Sequence, residues 1–163
     1  MDGGATLYDT DFFRWAEEQA ALLRARGAAE AEAGARPNEP IDWENIAEEL
    51  EDLGARHRDA VVSLLAIIIE HALKLEHSTD DEPRRQWTVS VRKCQWQVNR
   101  RLRASPSLAA KRDGLVADAY GTARMSASFG INIPEDDLPP ECPYETADLL
   151  DTNWLPVNRW GLK

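Results

Sequence analysis

From Trp43 to Leu75 apolar positions recur every three or four residues. Trp43, Ile46, Ala47, Leu50, Leu53, Gly54, His57, Val61, Leu64, Leu65, Ile68, Ala72 and Leu75 share one stripe of a 3.6-residue helix. A strand, whose side chains alternate every second residue, cannot present that pattern. The stripe opens behind Asp42, whose carboxylate can accept from the orphan N–H groups of a first turn. Unbroken, such a helix would run about 50 Å. Gly54 stands in its interior, where glycine weakens a helix by about 1 kcal/mol, and predicts a kink. Val61 to Ile69 (VVSLLAIII) is apolar almost all round, so other elements should cover it on most sides. A membrane span needs about 20 apolar residues, so this segment reads as a buried helix.

The rest of the chain supplies the cover. Asp9 or Thr10 can cap a first helix to about Arg26, with Phe12, Trp15, Ala16, Gln19, Leu22 and Leu23 on one face and Gly27 as its end. Residues 27–40 (GAAEAEAGARPNEP) lack periodicity and read as a flexible loop. Pro83 fits the first turn of a third helix, which continues to about Arg103 on a stripe of Trp87, Val91, Cys94, Val98 and Leu102. Ser105-Pro106-Ser107 breaks it and starts a fourth, with Leu108, Leu115, Ala119, Thr122, Ala123 and Met125 inward and Gly130 closing it. A proline-rich tail over 134–163 holds a short helix near Thr146–Asp151, with Trp154 and Trp160 tucking it against the helices.

The expectation is an all-α helical bundle of about four main helices, one long, central and largely buried, wrapped by the C-terminal tail. It treats 1–163 as a single domain with residues 1–6 disordered. A chain of 163 residues can bury a core without staples. Its two cysteines, Cys94 and Cys142, are too few for a disulfide framework and read as reduced thiols. Met1–Thr6 (MDGGAT) has neither the basic nor the apolar region of a secretory signal, so a cytoplasmic protein with no membrane partner is expected.

Charge is sorted along the chain. Residues 1–55 hold four bases against fourteen acids, 56–112 twelve against six, and 113–163 three against nine, giving the net −10. Pro83 to Arg112 carries nine bases and no acid. On a helical wheel Arg85, Arg92, Lys93, Arg100 and Arg103 fall within roughly a 100° arc that includes Trp96 and Val89. Cations around an aromatic suit phosphates and a stacking base. The plainer reading is that acids such as Glu48, Glu49, Glu51 and Asp52 cover this stripe, in the same molecule or its twin. A charge of −10 repels a polyanion at long range. The leading expectation is therefore a non-enzymatic protein acting by protein–protein association or homo-oligomerisation. Nucleic-acid binding through Arg85, Arg92, Lys93, Trp96, Arg100 and Arg103 is the alternative.

Catalytic patterns are sparse. His57, His71 and His77 all lie on the second helix, but the residue three before each is Gly54, Ile68 and Lys74, so no Glu-x-x-His pair exists. HExxH, GxGxxG and GxxxxGK[ST] are absent too. A metal-dependent hydrolase would need His57 or His71 joined by acids such as Asp11, Glu17 or Asp118. A hydrogen-bonded core histidine is the simpler reading of His57. Cys94 reads as an inert core thiol, and Cys142 has no histidine near it in sequence. EELED reads as a solvated face near a helix N-terminus. Catalytic residues, cofactor and metal are all expected to be none.

Several segments carry a resemblance: LYDTDFFRWAEEQAALLR (Leu7–Arg24), DWENIAEELEDLG (Asp42–Gly54), HALKLEH (His71–His77), Trp87, SPSL (Ser105–Leu108) and ECPYETADLLDTNWLP (Glu141–Pro156). In these the chain resembles a bacterial family catalogued as domain of unknown function twenty-nine. The resemblance implies an all-α fold and brings no activity, so no catalytic residue is carried over. Residues 27–40 are longer than that family leads one to expect, as a loop insertion would be.

Overall fold

The computed structural model describes residues 5–34 and 41–162. Among the described residues it is all-α: α1 (Leu7–Thr10), α2 (Phe12–Glu32), α3 (Trp43–His77), α4 (Arg84–Arg103), α5 (Pro106–Ala109), α6 (Arg112–Ile131) and α7 (Thr146–Leu150), with one 3-10 turn at Glu135–Asp137. No strand is present among them, and no helix is long and apolar enough to cross a membrane. The single domain expected over 1–163 groups into two compact units, residues 1–59 with 104–110 and residues 60–103 with 111–163.

In the first unit, α2 starts one step later than its capping signals suggest. Asp9 turns back to accept from Thr6 N (3.0 Å) and Thr6 Oγ1 (2.6 Å), which closes the one-turn α1. Asp11 is the true cap of α2, accepting from Arg14 N at 3.3 Å. The same buried carboxylate accepts from Ser107 N (2.8 Å) and Ser107 Oγ (2.7 Å) at the start of α5. One anion thus satisfies orphan donors of two helices. Thr6, expected in a disordered end, caps α1; residues 1–4 lie outside the described residues.

Gly27 does not end α2, which runs on to Glu32. A methyl group at Gly27 would stand 2.8 Å from Trp43 Cβ, so the glycine is a close-approach residue. Trp43 Nε1 donates to Glu30 Oε2 at 2.8 Å across the same contact. Of the expected 27–40 loop, then, residues 27–32 are helix and 35–40 lie outside the described residues. Gly54 does not break α3 either. It is buried, and a Cβ there would meet Ala16 Cβ at 3.4 Å, so the glycine lets α2 approach.

In the second unit the all-round apolar segment finds most of its cover: Val61, Leu65, Ile68, Ile69, Ala72, Leu73 and Leu75 are buried, while Ile67 keeps one edge open. The other buried stripes of this unit are Val91, Cys94, Val98 and Leu102 of α4, and Leu115, Val116, Ala119, Ala123 and Ala127 of α6. The fourth helix arrives in two pieces because Ser105-Pro106 starts a separate short turn, α5. It closes at Asn132 (φ 54°, left-handed), past Gly130.

The tail follows the helices of this unit. Tyr120 Oη donates to Pro139 O (2.5 Å), Asn99 Nδ2 to Leu150 O (2.7 Å) and Tyr144 Oη to Glu76 Oε2 (2.7 Å). Asn158 finishes α3: its amide donates to Leu75 O (2.8 Å) and Ser78 O (3.0 Å), and its oxygen accepts from Trp160 N (2.8 Å). Trp154 is half-buried against Tyr144, ring centroids 5.3 Å apart. Trp160 only half fulfils its expected tucking, since its Nε1 donates to His77 O at 3.1 Å while the ring stays exposed.

Candidate basic interface

Helix α4 buries one stripe and leaves the opposite one uncovered. Val89 is 59% exposed and Trp96 55%. Arg85, Lys93, Arg100 and Arg103 are exposed and Arg92 is half-buried. Arg100 lies over the Trp96 ring, 5.1 Å from its centroid, a cation–π pair within one helix. Arg92 Nη2 donates to Asn153 O (3.3 Å), and its buried Nη1 has no partner.

Among the described residues no carboxylate pairs with Arg85, Arg92, Lys93, Arg100 or Arg103. The ion pairs expected between this stripe and acids of the same molecule are thus not found among the described residues. Two of those acids are engaged closer to home. Arg24 binds Glu51 through both terminal nitrogens and Glu44 at 2.8 Å, and Arg56 lies 3.9 Å from Glu49. The Arg24 guanidinium holds the Glu51 carboxyl below its ordinary range. Arg84 is the exception on α4, buried with Nη1 donating to Leu75 O at 2.8 Å.

The second departure is on α3. Ile46 and Leu53, read as core stripe, are 43% and 40% exposed. With Asn45, Glu49, Leu50 and Arg56 they line a shallow depression of about 450 Å³. Periodicity could not reveal this, because it marks an apolar face without saying whether anything covers it.

The histidines are not assembled into a site. His57 Nε2 lies 3.3 Å from Ser105 Oγ, with the Phe12 ring 5.7 Å from its own. His71 Nδ1 and His77 Nε2 are buried without hydrogen-bond partners, and burial is the main cause that lowers both pKa values. Glu76 Oε1, at 3.7 Å from His77 Nε2, is too far to bond it. Among the described residues no three of His, Cys, Asp or Glu stand together as metal ligands. Burial also raises the thiols of Cys94 and Cys142, so neither is a ready thiolate. Sequence reasoning passed over Gln95, whose side chain is fully buried with neither polar atom bonded.

The family model described as Domain of unknown function DUF29 matches residues 7–155. The chain belongs to this family. A crystal structure of an alpha-helical protein of unknown function from Rhodospirillum rubrum is similar, with a TM-score of 0.67 and 24% identity over 91% of each chain. That likeness is one of fold. No match is found among curated proteins. DUF29 membership carries no activity, so the role of α4 has to be read from its geometry.

Proposed function

We propose that this DUF29 protein performs no chemistry of its own and works by binding an acidic protein surface along α4. The observation that carries this reading is the unpartnered face itself: Val89 and Trp96 form an open apolar seam, with Arg85, Arg92 and Arg103 to one side and Lys93 and Arg100 to the other. An apolar seam between rows of cations is what a helix with an apolar ridge and acidic flanks requires. Leaving that seam in water forgoes apolar burial. The two free thiols suit the reducing cytoplasm as the place of work.

Nucleic acid is the second reading, favoured by the Arg100–Trp96 stack, which could receive an unpaired base. The chain's net charge of −10 opposes it, since a polyanion is repelled before contact. A photo-crosslinking side chain at position 96, activated in cells of the organism that encodes the protein, separates the two. Protease-sensitive adducts that vanish when Lys93 and Arg100 become Glu are expected. Nuclease-sensitive adducts would transfer the face to nucleic acid, and no adduct at all would remove both readings.

A further inference from the structure

We infer that the acidic surface belongs to a second copy of this chain, whose α3 lies along α4 with the Trp96 indole seated in the depression between Ile46, Leu50 and Leu53. The inference rests on the α4 reading above and names its partner. The two open seams match in spacing: Ile46 and Leu53 are seven residues apart, as are Val89 and Trp96. Seven residues advance a helix by about 10.5 Å, close to two turns, so both pairs meet in one register. Their shapes complement each other, because α4 offers a projecting indole and α3 a depression of about 450 Å³.

Charge complementarity is the stronger argument. From Asp42 to Asp52 there are six acids and no base, while α4 from Arg84 to Arg103 holds seven bases and no acid. Glu48 and Asp52 are exposed and have no ion pair among the described residues. Arg85, Arg92, Lys93, Arg100 and Arg103 likewise have no ion pair among the described residues, which leaves them open to the acids of a second copy. Each copy carries both faces, so the contact is isologous if it is reciprocal and heterologous if it is not. It closes in a pair when each α3 meets the other copy's α4, and otherwise grows.

Light scattering after size exclusion tests this with charge swaps. Wild type is expected to associate at about 50 mM salt and to weaken about tenfold or more by about 500 mM, where exposed charges are screened. Lys93→Glu with Arg100→Glu should be monomeric alone, as should Glu49→Lys with Asp52→Lys. Mixed in equal amounts, the two should associate again, because each then offers what the other lost. Circular dichroism checks that both variants fold, and Trp96→Ala, which alters no charge, should weaken association of an otherwise unchanged chain about tenfold or more. A wild type that stays monomeric at about 100 μM and low salt overturns the inference. So does a mixture that stays monomeric. In either case, crosslinks from position 96 to a different protein would leave the α4 reading standing, whereas nucleic-acid crosslinks would remove both.

Discussion

Gly27 and Gly121 show how one residue type answers to different forces. Both lie inside helices, where alanine is favoured by about 1 kcal/mol. A Cβ at Gly121 meets nothing within 4 Å, whereas at Gly27 it would stand 2.8 Å from Trp43 Cβ. Overpacking costs about 1–3 kcal/mol, so Gly27→Ala is expected to destabilise by about 1 kcal/mol net, while Gly121→Ala stabilises by about 0.5–1 kcal/mol. Urea unfolding of the two variants measures both signs. The histidines carry a pH dependence. His71 has Glu70 and Lys74 beside it, His77 has Glu76 and Arg159, and burial holds both below the ordinary value of 6.5. The folded chain then binds fewer protons than the unfolded one. Their contribution is fully present above about pH 6.5 and is lost as pH falls through the depressed folded values. The urea midpoint should therefore fall between pH 7.5 and pH 5.5, and less steeply in His71→Gln.

At the scale of elements, the end of α3 depends on a residue more than 80 positions away in the chain. Asn158 is 5% exposed, and its amide meets carbonyls that a helix C-terminus leaves unsatisfied. Asn158→Ala removes those donors in a place water does not readily reach, and is expected to cost about 2 kcal/mol or more. Asn158→Asp separates donor from acceptor roles. A carboxylate can still accept from Trp160 N and Leu162 N but cannot donate to Leu75 O or Ser78 O. Thermal unfolding is expected to show both variants impaired, with Asp no better than Ala. An unimpaired Asp variant would show that the tail-closing bonds, and not the cap, carry the stability.

At the largest scale, charge is sorted along the sequence, and Arg85, Arg92, Lys93, Arg100 and Arg103 of α4 have no carboxylate partner among the described residues. The expected salt-dependent association is the consequence at this scale. Much of the fold was legible in the sequence because helical periodicity is local: the stripes of α2, α3 and α4, the break at Ser105-Pro106 and the short α7 all follow from spacing and turn chemistry. Part of the candidate site was legible too, since Arg85, Arg92, Lys93, Trp96, Arg100 and Arg103 share an arc whatever surrounds them. Which carboxylate caps α2 was not, because Asp9 is taken by Thr6 while Asp11 is also held by Ser107, 96 residues away. Nor was the exposure of Ile46 and Leu53, or that no carboxylate among the described residues pairs with Arg85, Arg92, Lys93, Arg100 or Arg103. Local pattern, set by neighbours along the chain, determined the helices and the faces they carry. Which of those faces is covered was decided only by the neighbours that folding brings, because burial belongs to two surfaces and not to one.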